Sequence, residues 1–120
     1  MKKWDFIGLR FAFGGLSILL QQRNFRLEVV LALLAIGLGV YLQINAQAWL
    51  WISLAITLVL AGEAINTAIE LTLDRVGRDY HPITKQAKDI AAGAVVLCCL
   101  HAVVIGFVVF GPRLWALLFA

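Results

Sequence analysis

Long uncharged runs of apolar residues dominate the pattern of this chain. A helix that crosses a bilayer needs about 20 mostly apolar residues. The runs predict three such helices, at about 27–44, 48–74 and 84–110. An earlier segment, at about 3–20, is apolar but interrupted by glycines and charges, which favours a helix lying at the membrane interface. The predicted fold is an all-α membrane protein with three transmembrane helices and an amphipathic N-terminal interfacial helix.

The composition supports a membrane protein and excludes a soluble one. Hydrophobic residues make up 62% of the 120 residues, charged residues make up 14%, and the mean hydropathy is +0.93. A soluble domain has roughly 45–50% apolar and about 25% charged residues. A small core cannot hide this much apolar surface from water, and the same composition excludes disorder. We therefore expect a single membrane domain over residues 1–120.

The basic residues predict the orientation of the chain. Nine of the ten precede the first span or lie around the connection between the second and third spans, and only Arg113 follows the third span. The positive-inside rule places the N-terminus and that connection in the cytoplasm and the C-terminus outside. The basic residues form no stripe with interleaved aromatic residues, so we expect no nucleic-acid partner.

A polar face on the second span carries the first candidate site. Glu63 lies about 15 residues into the span, roughly 22 Å from its start. An ionisable residue at that depth costs at least about 2.5 kcal/mol and indicates a functional site. Two neutral polar residues and two more carboxylates fall within about 60° of it around the helix: Asn66, Thr67, Glu70 and Asp74. This face predicts a metal or substrate site; the alternative is that Glu63 only pairs with a basic residue.

A second cluster opens the third span. Lys85, Lys88 and Asp89 share one helix face, and the small residues 91–94 follow them. A helix N-terminus with two lysines is suited to bind an anion, although the lysines are also explained as topology signals. Glu28 lies near the start of the first span, where Arg23 and Arg26 are equally well explained by lipid headgroups. The chain has no phosphate-binding loop of a soluble nucleotide-binding domain.

Two linked segments resemble a known family. Residues 63–70, Glu-Ala-Ile-Asn-Thr-Ala-Ile-Glu, resemble the E-x-x-N-[ST]-A-I-E signature of the prokaryotic integral-membrane diacylglycerol kinase and undecaprenol kinase family. Residues 85–95 resemble its second signature, A-K-D followed by small residues, and residues 23–26 are similar to the start of its first span. The resemblance covers about 23–112, and two motifs at this separation are more specific than either alone.

The resemblance implies an ATP-dependent kinase of the bacterial inner membrane that phosphorylates a membrane lipid alcohol, undecaprenol or diacylglycerol. It also implies a homotrimer with shared active sites that use Mg²⁺ and ATP. By position, Glu63 resembles the general base. The other implied roles are catalytic (Asn66, Lys88 and Asp89), nucleotide-binding (Asp74, Tyr80, His81 and Lys88) and metal-binding (Glu70, Glu28 and Gln22). Gln22 departs from the family, which often has a glutamate there, and an uncharged ligand weakens a magnesium site.

Two other functions compete with the kinase. A small proton-coupled cation or drug transporter would use Glu63, but it leaves Lys88, Asp89 and the other carboxylates without a role. A non-catalytic assembly subunit explains none of the polar face. Phosphate transferred from ATP to an extracted lipid separates the kinase from both.

Overall fold

Four helices form the chain in the computed structural model, which describes residues 3–119 and the side chains of residues 8–119. They are α1 (Lys3–Leu19), α2 (Arg23–Tyr41), α3 (Ala46–Val76) and α4 (Pro82–Phe119). Helices α2, α3 and α4 are long and apolar enough to cross a membrane, whereas α1 is a shorter apolar helix. No strand occurs in the described part of the chain. The predicted fold class is confirmed. Lys2 and the side chain of Lys3, which contribute to the predicted orientation, lie outside the described residues.

Helix α4 extends further than its apolar pattern predicts: it continues to Phe119, whereas the predicted span ends near residue 110. Pro112 lies inside the helix and has no N–H to donate to the preceding turn. The guanidinium of Arg113 donates a hydrogen bond to the carbonyl oxygen of Val109 at 2.7 Å. The carbonyl that Pro112 leaves without its helical partner is that of Val108, four residues earlier, so the Arg113 bond is made to the neighbouring carbonyl.

A tight turn joins α2 to α3. Gln43 has a φ of 53°. This value lies in the left-handed region, which costs free energy for any residue with a Cβ atom. Asn45 then begins α3, because its side-chain oxygen accepts a hydrogen bond from the Ala48 N–H at 2.8 Å. Asparagine is among the most favourable residues at this position. The turn makes α2 and α3 adjacent in space as well as in sequence.

Helix α3 is the central element, since it packs against both α2 and α4. Near the α2–α3 turn, the core consists of buried apolar residues from the turn, α3 and α4: Ile44, Ala48, Ile52, Val109 and Phe110. At the other end of α3 the buried residues are polar, and α1 lies beside that end across a groove of about 300 Å³. Many large apolar side chains face outward, as expected for a chain surrounded by lipid.

The closest helix packing at the α2–α3 turn occurs at Gly39. A Cβ atom there would lie 2.7 Å from Cη2 of Trp49 and 3.1 Å from Cδ1 of Ile44. The half-buried ring of Trp49 lies over Gly39. The absence of a side chain at position 39 therefore allows α2 and α3 to approach.

Substituting Gly39 by alanine should destabilise the fold by about 1–3 kcal/mol, because the added methyl group overpacks a rigid indole ring. Gly37→Ala is the matched control, since a Cβ at position 37 meets nothing within 4 Å. The control should be neutral or slightly stabilising, because alanine favours helix more than glycine. Reversible unfolding of both variants in detergent micelles measures the difference. Equal effects of the two substitutions would contradict the close approach at Gly39.

Candidate functional site

Three polar side chains on α3 are buried inside an otherwise apolar structure. They are Glu63, which is 6% exposed, Asn66 and Thr67. They lie three and four residues apart and so share one side of the helix. Further along this side, Asp74 is half-buried and Glu70 is exposed. The polar face of α3 therefore runs from the interior of the bundle to the open end beside the α3–α4 loop.

A hydrogen bond links two of the predicted site residues on this face. The Asn66 Nδ2 donates to Glu70 Oε1 at 3.2 Å. The other polar atom of the amide, Asn66 Oδ1, is buried and has no hydrogen-bond partner among the described residues. The negative charge of Glu70 acts on Glu63, so the two carboxylates repel each other. A cation or a hydrogen-bond donor would compensate the oxygen atoms of Asn66, Glu63 and Glu70.

Glu28 on α2 adds a third carboxylate close to the same region. Its charge is repelled by that of Glu63, and its Oε2 is buried without a partner among the described residues. Glu28 also borders a cavity of about 250 Å³ between α2, α3 and α4 that is otherwise lined mainly by apolar side chains. On α3 this apolar cavity extends as far as Leu60, one turn before Glu63.

A second, polar cavity of about 400 Å³ lies at the α3–α4 loop. It is lined by nine residues of the end of α3, the loop and the start of α4: Asp74, Gly77, Arg78, Asp79, Tyr80, His81, Thr84, Lys85 and Lys88. All four residues predicted to bind nucleotide are among them. His81 also caps α4, since its Nδ1 accepts a hydrogen bond from the Ile83 N–H at 3.2 Å.

The two lysines of α4 have different partners. Lys88 Nζ donates to Asp74 Oδ1 at 2.8 Å, which links α4 to α3 across the polar cavity. Lys85 Nζ lies 2.6 Å from Asp89 Oδ2 in an exposed pair within α4. Asp89 is the one predicted catalytic residue of α4 that does not line the cavity. Adjacent positions on a helix differ by about 100°, so Lys88 and Asp89 lie at opposite edges of the face that they share with Lys85.

Comparison with known proteins assigns the chain to a family. The model of the family described as prokaryotic diacylglycerol kinase matches residues 10–110. The chain belongs to this family. The prediction made from residues 63–70 and 85–95 is confirmed, and the family and its relatives' names indicate a lipid kinase.

The relatives are named for two different lipids. A diacylglycerol kinase from Synechocystis sp. is 37% identical over 93% of this chain and 65% of its own length, just under two thirds of that relative. A diacylglycerol kinase from Escherichia coli strain K12 is 33% identical over 71% of this chain and 70% of its own length. An undecaprenol kinase from Bacillus subtilis is 36% identical over 78% of this chain and 76% of its own length.

Of the residues predicted to hold a metal in this family member, Glu28 lies on α2, Glu70 lies on α3 and Gln22 lies just before α2. Glu28 is half-buried, Glu70 is exposed, and Gln22 is the exposed residue that precedes α2. Within residues 8–119, no three histidine, cysteine, aspartate or glutamate side chains converge closely enough to hold a metal ion. The unpartnered oxygens of Glu28 and Asn66 are nevertheless of the type that Mg²⁺ prefers. These oxygen atoms are suitable ligands for Mg²⁺, but the described residues of one chain bring too few of them together to hold the ion.

Two features of the site are not apparent from the sequence motifs. The apolar cavity beside Glu28 depends on the spacing of three helices, which no single-helix pattern reveals. Arg26, interpreted from sequence as a possible headgroup contact, instead donates to the carbonyl oxygens of Leu20 and Gln21 at 3.2 and 3.1 Å. Arg26 thereby supplies a hydrogen-bond donor to backbone carbonyls that follow the end of α1, and it stabilises the turn that contains Gln22.

Proposed function

We propose that this chain is an ATP-dependent lipid kinase that transfers the terminal phosphoryl group of ATP to the hydroxyl group of a membrane lipid alcohol. One observation carries the proposal: the buried carboxylate of Glu63 lies on α3 between an apolar cavity and a polar one. The apolar cavity reaches Leu60, and the polar cavity begins at Asp74. A lipid alcohol and a water-soluble phosphate donor need such an arrangement in order to meet.

In this proposal Glu63 is the general base. As the lipid oxygen attacks the terminal phosphorus, its proton passes to the Glu63 carboxylate, and the bond between that phosphorus and ADP breaks. Asn66 orients Glu70 through their hydrogen bond. Phosphoryl transfer depends mainly on positioning and on neutralising charge, so a carboxylate, an amide and nearby cations are sufficient groups for it.

The polar cavity is the proposed nucleotide site. Asp74, Tyr80, His81 and Lys88 line it, and Lys88 is already held in place by Asp74. Asp89 is proposed to act at the edge of the site, where it holds Lys85. Mg²⁺ would be held by Glu70 and Glu28, with Gln22 as an uncharged ligand, and it would neutralise charge on the phosphates.

The assembly and the location complete the proposal. We expect a homotrimer whose sites are shared between subunits, since within residues 8–119 of one chain no three metal-ligating side chains converge. We place the protein in the bacterial inner membrane, with the N-terminus and the α3–α4 loop in the cytoplasm and the C-terminus outside. The acceptor is undecaprenol or diacylglycerol, as relatives named for each are similarly identical to this chain.

A small proton-coupled transporter is the second candidate. The repulsion between the carboxylates of Glu28 and Glu63 beside an apolar cavity favours it, because such a pair binds a proton or an organic cation. This function leaves the polar cavity at the α3–α4 loop unused. A proton-coupled transporter consumes no ATP and transfers no phosphate to lipid, so any lipid phosphorylation by the pure protein excludes it as the main activity.

Glu63→Gln should reduce lipid phosphorylation by about 10²–10⁴-fold, because the amide keeps the shape of the side chain but cannot accept the proton. The measurement is the transfer of label from the terminal phosphate of ATP to extracted lipid. Ser53→Ala, an exposed position on the same helix, is the control for handling and insertion. Turnover of the glutamine variant within about tenfold of the unmodified protein would contradict the role of Glu63.

Lys88→Ala should lower kcat/KM for ATP by at least about tenfold, whereas Lys85→Ala should lower it by less than about threefold. Lys88 joins two helices across the cavity, while Lys85 is held by Asp89 on the exposed surface of α4. Exposed ion pairs contribute little. Initial rates at several ATP concentrations measure both variants. Similar mild effects would support the view that both lysines only set the orientation in the membrane.

Gln22→Glu should lower the Mg²⁺ concentration that gives half-maximal activity, because a carboxylate adds a charged oxygen ligand for a hard cation. The preference for one lipid alcohol over the other should not change. Gln21→Glu adds the same charge one residue earlier and is the matched control. If the requirement for Mg²⁺ stays the same or rises in Gln22→Glu, position 22 does not bind the metal, and Glu28 becomes the partner of Glu70.

A further inference from the structure

The polar cavity at the α3–α4 loop contains a positive charge that the family signature does not use. Three lysine and arginine side chains line the cavity: Arg78, Lys85 and Lys88. Lys88 is bonded to Asp74, and Lys85 is bonded to Asp89. Among the described residues, the guanidinium of Arg78 has no such carboxylate partner. Arg78 is therefore the cation of the cavity that remains available to a ligand.

Asp74 forms no ion pair with Arg78. Asp74 is close enough to Arg78 for their charges to interact. Its Oδ1, however, accepts a hydrogen bond from Lys88 Nζ at 2.8 Å. Of the side chains that line the cavity, Arg78, Lys85 and Lys88 are positive and Asp74 and Asp79 are negative, and Asp89, the partner of Lys85, brings the sum to zero (3 − 3 = 0). The two ion pairs hold Lys85 and Lys88, so Arg78 is the basic side chain of the cavity whose charge is available to attract an anion.

The size of the cavity and the groups around it suit a small molecule that carries phosphate. The cavity volume of about 400 Å³ is in the range of small-molecule sites. It is bordered by the start of α4, where Thr84 lies next to the helix N-terminus, which attracts negative charge. A planar guanidinium forms two parallel hydrogen bonds to a phosphate, which a lysine ammonium does not.

We propose that Arg78 binds a phosphate group of the nucleotide, as a binding residue additional to Asp74, Tyr80, His81 and Lys88. This inference rests on the proposed function, in which the polar cavity receives ATP. The same phosphate chemistry is present in lipid headgroups. The nucleotide is favoured because Arg78 lines the same cavity as the four residues of the proposed nucleotide site.

The test measures equilibrium binding of a non-hydrolysable ATP analogue with Mg²⁺ to the full chain in lipid nanodiscs. Arg78→Gln should weaken binding about tenfold, the loss of one charge-assisted contact. Arg78→Lys should recover only part of this affinity, because it keeps the charge but not the planar fork. The matched control is Arg75→Gln, which removes the same charge from an exposed position outside the cavity and should change affinity less than twofold.

Equal effects of Arg78→Gln and Arg75→Gln would overturn the inference, since they would reflect only the overall charge. A second arm compares nanodiscs of neutral and anionic phospholipid. If Arg78→Gln changes the dependence on anionic lipid but not nucleotide affinity, Arg78 binds headgroups and the inference is wrong. If the unmodified protein binds the analogue but phosphorylates no lipid, the proposed function is wrong. The affinities of Arg78→Gln and Arg75→Gln then still show whether Arg78 binds the nucleotide. If it binds no nucleotide, both fail.

Discussion

The burial of Glu63 in an apolar helix bundle is the constraint on which the rest of this structure depends. A carboxylate at this depth costs at least about 2.5 kcal/mol, and Asn66 and Thr67 add polar groups that also need partners. The fold must recover this free energy elsewhere. We expect van der Waals packing of the apolar core around Ile52 and Phe110, at the opposite end of the same helix, to contribute part of it. The apolar packing residues of α3 and its buried polar residues thus lie at opposite ends of the helix.

Helix α3 connects two environments that a single small chain rarely brings together. Its middle lines an apolar cavity with α2 and α4, and its last turn borders a polar cavity with the loop and α4. The Lys88–Asp74 bond fixes α4 at the polar end, while Gly39 and Trp49 fix α2 at the other. The polar residues of α3 therefore occupy a defined boundary between lipid-like and water-like surroundings.

The sequence was sufficient to predict the features that depend on one helix at a time. The lengths of the apolar runs predicted three spanning helices, and the positions of Glu63, Asn66 and Thr67 predicted that they share one face. Contacts between helices were not predictable in this way. Periodicity gives a direction around a helix axis but not the neighbour in that direction. For this reason the partner of Lys88 and the cavity beside Glu28 emerged only from the structure.

The most direct test of the account is a competition experiment with the purified protein in a defined bilayer that contains both undecaprenol and diacylglycerol. ATP labelled on its terminal phosphate is added with Mg²⁺, and the label in each extracted lipid is compared with the ATP consumed. The account predicts that label enters at least one of the alcohols in equal amount to the ADP formed. Unconsumed ATP, or label released only as inorganic phosphate, would contradict it.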